Sequence, residues 1–346
     1  MLPVLETTAH SPLTIVWFVL ITVLWVGFFF LEGFDYGVGT LLPFLSHHDN
    51  ERSQIIRTIA PVWDGNEVWM ITAGGALFAA FPHVYATMFS TFYLALFLML
   101  VALIMRGVAF ELRGHKDSPC WRHFWEGAIC FGSAVPAFLW GVAVTDLLRG
   151  LPINENMIYQ GGFLDLLSPY SIFGGLTFLF VFVFHGAAFL TQRLASYGLI
   201  LQARKAAIRC GALAIICYLV CLALTIIQTD LFRSPVAAVF LLAAGVLFIL
   251  AYLRLFQQHF RQSFIFSSLT IVCTTVAFFS GLFPRLMVSS LNPAWSLTIT
   301  NASSTPYTLS IMTIAALCLV PVILIYQIWT YWIFRKRIGS EDTEYH

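Results

Sequence analysis

Long apolar runs separated by short polar stretches repeat along the whole chain. A bilayer core about 30 Å thick takes about 20 apolar residues in helical form. By that measure nine runs predict nine transmembrane helices, near 13–33, 59–81, 84–105, 123–148, 170–191, 207–228, 236–254, 264–284 and 308–333. Pro82, Pro119, Pro169, Pro235 and Pro306 fall in the connections, where a missing N–H does no harm. Pro136 and Pro321 fall inside runs and predict kinks. Gly33, Gly37 and Gly39, then Gly74 and Gly75, are small residues that let helix backbones approach closely in a membrane. The expectation is an all-α integral membrane protein, one polytopic domain over 1–346. Ile71–Pro82 and Val272–Pro284 each carry Leu-Phe near the end of a run, ahead of a proline. That echo hints at two four-helix halves and one peripheral helix, with a first bundle at about 13–148 and a second, plus the extra helix, at about 170–334.

Composition strengthens this picture. Of 346 residues, 59% are hydrophobic and 10% charged, where soluble domains carry about 25% charge. So little polar surface cannot cover a water-facing shell, so lipid is the main solvent. A net charge of +1 excludes a broad basic face for nucleic acid. The basic residues are distributed unevenly. With the N-terminus outside, fifteen of the eighteen Lys and Arg residues fall on the cytoplasmic side, and only Arg149, Arg233 and Arg285 stay outside. The positive-inside rule therefore predicts an outer N-terminus and a cytoplasmic C-terminus. Residues Met1 to His10 lack Lys and Arg, so they lack the charged start of a cleaved signal peptide, and the first helix is expected to be retained. Cys217 and Cys221 share a helix face, but small apolar packing is the expected role of both.

The chemistry must come from charges inside or at the rims of the runs, because charge inside a bilayer is costly and usually functional. Glu32 and Asp35 close the first run, Asp64 and Glu67 lie about one turn into the second, and Glu126 starts the fourth. The predicted topology gathers Asp35, Asp64, Glu67 and Glu126 at the cytoplasmic ends of three neighbouring helices. Asp64 and Glu67 are three apart, hence on one face. Such a cluster suits a proton intake, since burial and mutual repulsion let carboxylates load and release protons near neutral pH. The alternative is pairing with arginines such as Arg57 or Arg122, or capping of helix starts. For Asp64 the two roles stay open; for Glu32 and Glu67 pairing leads. His185 lies deep in the fifth run and could ligate haem. The other eight histidines fall in tails, loops or rims, and no CxxCH occurs, so a hydrogen bond between helices is its expected role. No Walker A loop, GxGxxG after a strand, HExxH or nucleophile elbow is found.

Several segments carry a family resemblance. Glu32-Gly33-Phe34-Asp35-Tyr36-Gly37-Val38-Gly39 is similar to a (D/E)GFDxGVG signature, and Ala60-Pro61-Val62-Trp63-Asp64-Gly65-Asn66-Glu67-Val68-Trp69 to APxWDGNxVW, both of subunit II of cytochrome bd-type quinol oxidases. Trp121-Arg122-His123-Phe124-Trp125-Glu126 resembles a WRxxWD start with Glu in place of Asp. The resemblance spans nearly the whole chain. It implies nine helices in two four-helix bundles plus one, within a complex that oxidises ubiquinol or menaquinol electrogenically and reduces dioxygen to water. Haems b and d belong to the partner subunit I, and none to this chain. The resemblance also implies a heterodimer with subunit I, room for a small accessory subunit, and residence in the bacterial inner membrane. Carried over, it makes Asp35, Asp64 and Glu126 candidates for a cytoplasmic proton route, with Glu67 beside them. Trp63 and Trp69 become candidates for an interface or an apolar passage. His185 stands where some relatives have an uncharged polar residue, and the connection near 229–235 is short. The rival reading is a proton-coupled secondary transporter, which should show two matched broken helices near mid-membrane.

Overall fold

In the computed structural model, which describes residues 11–46 and 48–339, the chain folds into eleven α-helices and one small two-stranded sheet. The helices are α1 (Pro12–Leu45), α2 (Asp49–Ile59), α3 (Trp63–Ala80), α4 (Pro82–Thr91), α5 (Tyr93–Leu112), α6 (Pro119–Arg149), α7 (Pro169–Arg193), α8 (Tyr197–Gln228), α9 (Pro235–Phe256), α10 (Phe260–Leu282) and α11 (Pro306–Ile333). The stretches 1–10 and 340–346, used above for the signal-peptide and C-terminal readings, lie outside the described residues.

Every predicted run falls on helix. Among the described residues, eight helices are long and apolar enough to cross a membrane. The ninth expected span divides differently. The run near 59–81 becomes the 18-residue α3, whose polar first turn of Asp64, Asn66 and Glu67 keeps it outside that set. Ahead of it lies α2, a short amphipathic helix that the apolar pattern did not announce. The run near 84–105 becomes α4 and α5, parted at Phe92.

The prolines explain the boundaries. Pro82, Pro119, Pro169, Pro235 and Pro306 each open a helix, where proline's fixed φ suits the first turn and its missing N–H goes unused. Ser168, Ser234 and Thr305 cap three of those starts by accepting from the backbone N–H of Ser171, Ala237 and Thr308. Helices α6 and α11 run on through Pro136 and Pro321.

The central helix is α1, which packs against α3, α6, α7 and α10. Its glycines allow this. A methyl on Gly37 would overlap the Phe182 carbonyl oxygen, and one on Gly186 would overlap the α1 backbone, so α1 and α7 cross at backbone contact. Gly141 meets Gly174 and Gly175 in the same way where α6 crosses α7. Gly74 and Gly75, by contrast, meet no neighbour within 4 Å. They face an apolar cavity of about 660 Å³ lined also by Trp25, Phe29, Trp140 and Phe279.

The two long connections cap one end of the bundle together. Strand β1 (Arg285–Met287) pairs antiparallel with β2 (Leu297–Thr298). Leu151 bridges to the second connection through Val288 and Ser290, and Ser289 Oγ donates to the Ile153 carbonyl at 2.6 Å. Beside them Arg285 donates to Asp230 at 2.8 Å, and that bond holds the Asp230 carboxyl below its ordinary range. The opposite end carries Arg52, Arg113, Arg204 and Arg335, and is called here the basic end.

Candidate functional site

Helix α1 does not stop at Gly33 as the apolar run suggested. It continues to Leu45, so Glu32 and Asp35 lie well inside a helix and not at its end. The cause is packing: the glycine-rich stretch that lowers apolarity is the stretch that meets α7 most closely. Both acids are fully buried, as is Arg106. Arg106 had counted with the cytoplasmic rim, but α5 runs on to Leu112 and carries it inside the bundle.

These residues form one site. Arg106 Nη1 donates to Glu32 Oε1 and, at 3.3 Å, to Glu67 Oε1. Its guanidinium lies 5.0 Å from the centre of the Tyr36 ring and 5.9 Å from that of Trp63. Asp35, one turn beyond Glu32 on α1, accepts from Asn66 Nδ2 at 2.6 Å. Asn66 Oδ1 in turn accepts from Gln327 Nε2 at 3.2 Å and from the Tyr331 hydroxyl at 2.8 Å, both on α11. Several polar atoms here are buried without a protein partner: Glu32 Oε2, Asp35 Oδ1, Tyr36 Oη, and Arg106 Nε and Nη2. Buried groups left like this are places for ordered water.

The four predicted acids are not gathered in one place. Glu67 meets Glu32 through Arg106, and Asp35 bonds to Asn66, the residue before Glu67. Glu126 is buried elsewhere, held by Arg52 and by Arg113 at 2.9 Å. Arg52 also donates to the Ser46 carbonyl beyond the end of α1, roughly 15 Å along that helix from Asp35 at 1.5 Å per residue. Asp64 is exposed on the first turn of α3. A helix advances 100° per residue, so two positions put Asp64 nearly opposite Asn66. The buried stripe of α3 is Asn66, Ala73, Leu77 and Ala80, and Asp64 falls on the other face with Val68, Ile71 and Phe78. The arginines expected to pair with the acids differ as well: Arg122 meets Asp49 and Asp117.

Trp63 packs against Phe110, with ring centres 4.9 Å apart and planes tilted by 39°. Trp69 packs on Gly27 of α1 and donates its indole N–H to Gln327 Oε1 at 2.8 Å. The walls of the apolar cavity come from other residues, including Met70, Met88 and Met99, and hold no histidine. His185 is buried against Phe264, with rings stacked 4.7 Å apart. Its Nδ1 meets Ser267 Oγ at 2.7 Å and its Nε2 the Phe30 carbonyl at 3.3 Å. Both nitrogens are therefore engaged in tying α7 to α10 and α1.

Asn66, Gln327, Tyr331 and the pairing of Arg106 went unread in the sequence. One signal was available for Asn66, which lies seven residues before Ala73 on the stripe that must be buried. The opposite end of the bundle holds an acid also missed, Asp146, fully buried beside Arg149 at 3.1 Å.

Residues 13–334 match the family model described as cytochrome bd terminal oxidase subunit II. The chain is 42% identical over 328 residues to cytochrome bd ubiquinol oxidase subunit 2 of Bacillus subtilis, covering 94% of this chain and 97% of that one. It is 36% identical to cytochrome bd-I ubiquinol oxidase subunit 2 of Escherichia coli, covering 97% of each. A chain of the bd oxidase from Geobacillus thermodenitrificans superposes with a TM-score of 0.76 at 17% identity, over 94% of this chain and 100% of that one. At that identity the superposition speaks to the fold alone.

Proposed function

The chain belongs to the cytochrome bd terminal oxidase subunit II family, and we propose from that membership that it works beside a haem-bearing subunit I in a complex oxidising quinol and reducing dioxygen to water. Haems b and d would lie in that partner, quinol and dioxygen would meet it there, and this chain would hold no haem. The assembly would reside in the bacterial inner membrane with the basic end facing the cytoplasm. A small accessory subunit is a further partner the family resemblance implies.

Within the complex, this chain would carry protons from the cytoplasm toward the oxygen-reducing haem. The observation that supports this is the cluster of buried Glu32, Asp35 and Arg106 with half-buried Glu67 at its edge. Insertion of one charged residue mid-bilayer costs about 2.5–3.5 kcal/mol on insertion scales, and apolar residues of similar volume hold a core at least as well as a buried ion pair. Stability alone gives no reason to keep three acids around one arginine. In this reading Asp64 stands at the entrance, Glu67 between, and Asp35 within. Glu126, clamped by two arginines, fits a latch holding α2 against α6 better than a carrier.

Purification of the tagged chain from native membranes tests the assignment. It should bring down a haem-bearing polypeptide with quinol-driven oxygen uptake, and a preparation without haem or uptake would remove it. Expressed without its partner the chain should show no Soret band, and His185→Ala in the complex should leave the haem spectrum intact. Loss of any haem signal in that variant would return His185 to the ligands. Topology is tested in a background without native cysteines. His48→Cys should react with impermeant maleimide only from the cytoplasm and Glu155→Cys only from outside, and the reverse pattern would invert the orientation.

A further inference from the structure

Helix α11 is the most exposed of the long helices. From Pro321 to Ile333 its only half-buried residues are Gln327, Thr330 and Tyr331. Two of these bond to a single side chain, Asn66. The bonds have a direction that the chemistry of the donors fixes. An indole N–H can only donate. Trp69 therefore requires the oxygen of the Gln327 amide on its side, at 2.8 Å. The Gln327 nitrogen is thereby turned toward Asn66 Oδ1. The Tyr331 hydroxyl donates to the same oxygen, so the Asn66 nitrogen is left to face Asp35 Oδ2 at 2.6 Å. An isolated asparagine could turn either end of its amide to that carboxyl. Here the polarity is set three groups from the carboxyl, at the Trp69 indole.

We infer that Trp69, Gln327 and Tyr331 are positioning residues that hold the Asn66 amide with its N–H on Asp35. The helix that carries two of them thus acts on the buried acid without touching it. This rests on the reading of Asp35 as a proton carrier. A fixed donor on one carboxylate oxygen leaves the other, Oδ1, which has no protein partner, as the oxygen free to take a proton. If the amide turned over, its oxygen would face the carboxyl and demand a proton on the wrong side. Transfer would then wait for the amide to turn back.

The test uses the assembled oxidase at saturating quinol, with oxygen uptake normalised to haem content. Trp69→Phe removes the indole donor, Gln327→Met the amide, and Tyr331→Phe one hydroxyl at nearly constant volume. Trp69→Phe and Gln327→Met should each slow turnover three-fold or more and leave the KM for oxygen unchanged, and Tyr331→Phe should act in the same direction. In an Asp35→Asn background none of the three should slow it further. Should Gln327→Met fail to assemble, the two aromatic substitutions carry the same comparison. Equal slowing with and without the Asp35 carboxyl would overturn the inference, as would a change confined to KM or normal turnover in all three. A slow Asp35→Asn beside unaffected positioning variants would sink this inference alone. Normal turnover in Asp35→Asn itself would remove the carrier reading and this inference with it.

Discussion

Arg106→Leu is expected to lower stability by about 3–5 kcal/mol, the usual consequence of removing one partner of a buried ion pair. The size follows from what is left behind. Glu32 is fully buried and bonds to Arg106, and Glu67 leans on the same guanidinium. Without it, two carboxyls face each other and Asp35 in an apolar surround. The outcome should be little assembled protein and a lower unfolding temperature in detergent. Removing both charges should behave differently, because the pair as a whole adds little net stability once its desolvation is counted. Glu32→Leu combined with Arg106→Leu is therefore expected to recover most of the assembled protein. Thermal unfolding of the single and double variants measures the difference. A single variant as stable as the parent would mean that water or a partner group compensates the acids.

The residues of this site show which physics the sequence carries openly. Apolar run length fixed the helices, since lipid imposes it directly on composition. Helix ends were less legible. The run near 13–33 ended at the first polar residues, yet α1 continues twelve residues further, because a helix inside a bundle is stabilised by neighbours that sequence pattern does not display. The same effect hid Arg106. It reads as a rim residue by position and becomes interior because α1 offers Glu32 at matching depth. Local periodicity could have separated Asp64 from Asn66, as the stripe of Ala73, Leu77 and Ala80 defines the covered face of α3. Gln327 and Tyr331 lie about 260 residues from Asn66, and no local pattern announces a contact of that span. The family resemblance, by contrast, rests on runs of identity and needs no geometry.

Asp35→Asn should leave a complex with its full haem complement and slow oxygen consumption ten-fold or more, on the order of 1.4 kcal/mol in barrier. The substitution keeps the shape of the side chain. It can still bond to Asn66, but it removes the group that titrates. No charge is stranded by the change, since Arg106 keeps Glu32 and Glu67, so assembly should survive. The other candidates are expected to separate by environment. Asp64 stands exposed on the first turn of α3, where water can stand in for a lost carboxyl if it reaches the rim, so Asp64→Asn should slow turnover by a smaller factor. Glu126→Gln strands Arg52 at a buried site and leaves Arg113 with Asp49 alone, so it should chiefly lower the yield of complex, with turnover per haem near normal. These three signatures come from one pair of measurements, haem content and oxygen uptake per haem. Asp35→Glu returns a carboxyl at slightly shifted reach and should restore part of the rate. Normal uptake per haem in Asp35→Asn would end the carrier role for that residue. A strong per-haem defect in Glu126→Gln would move the route to the Arg52 and Arg113 side of the bundle.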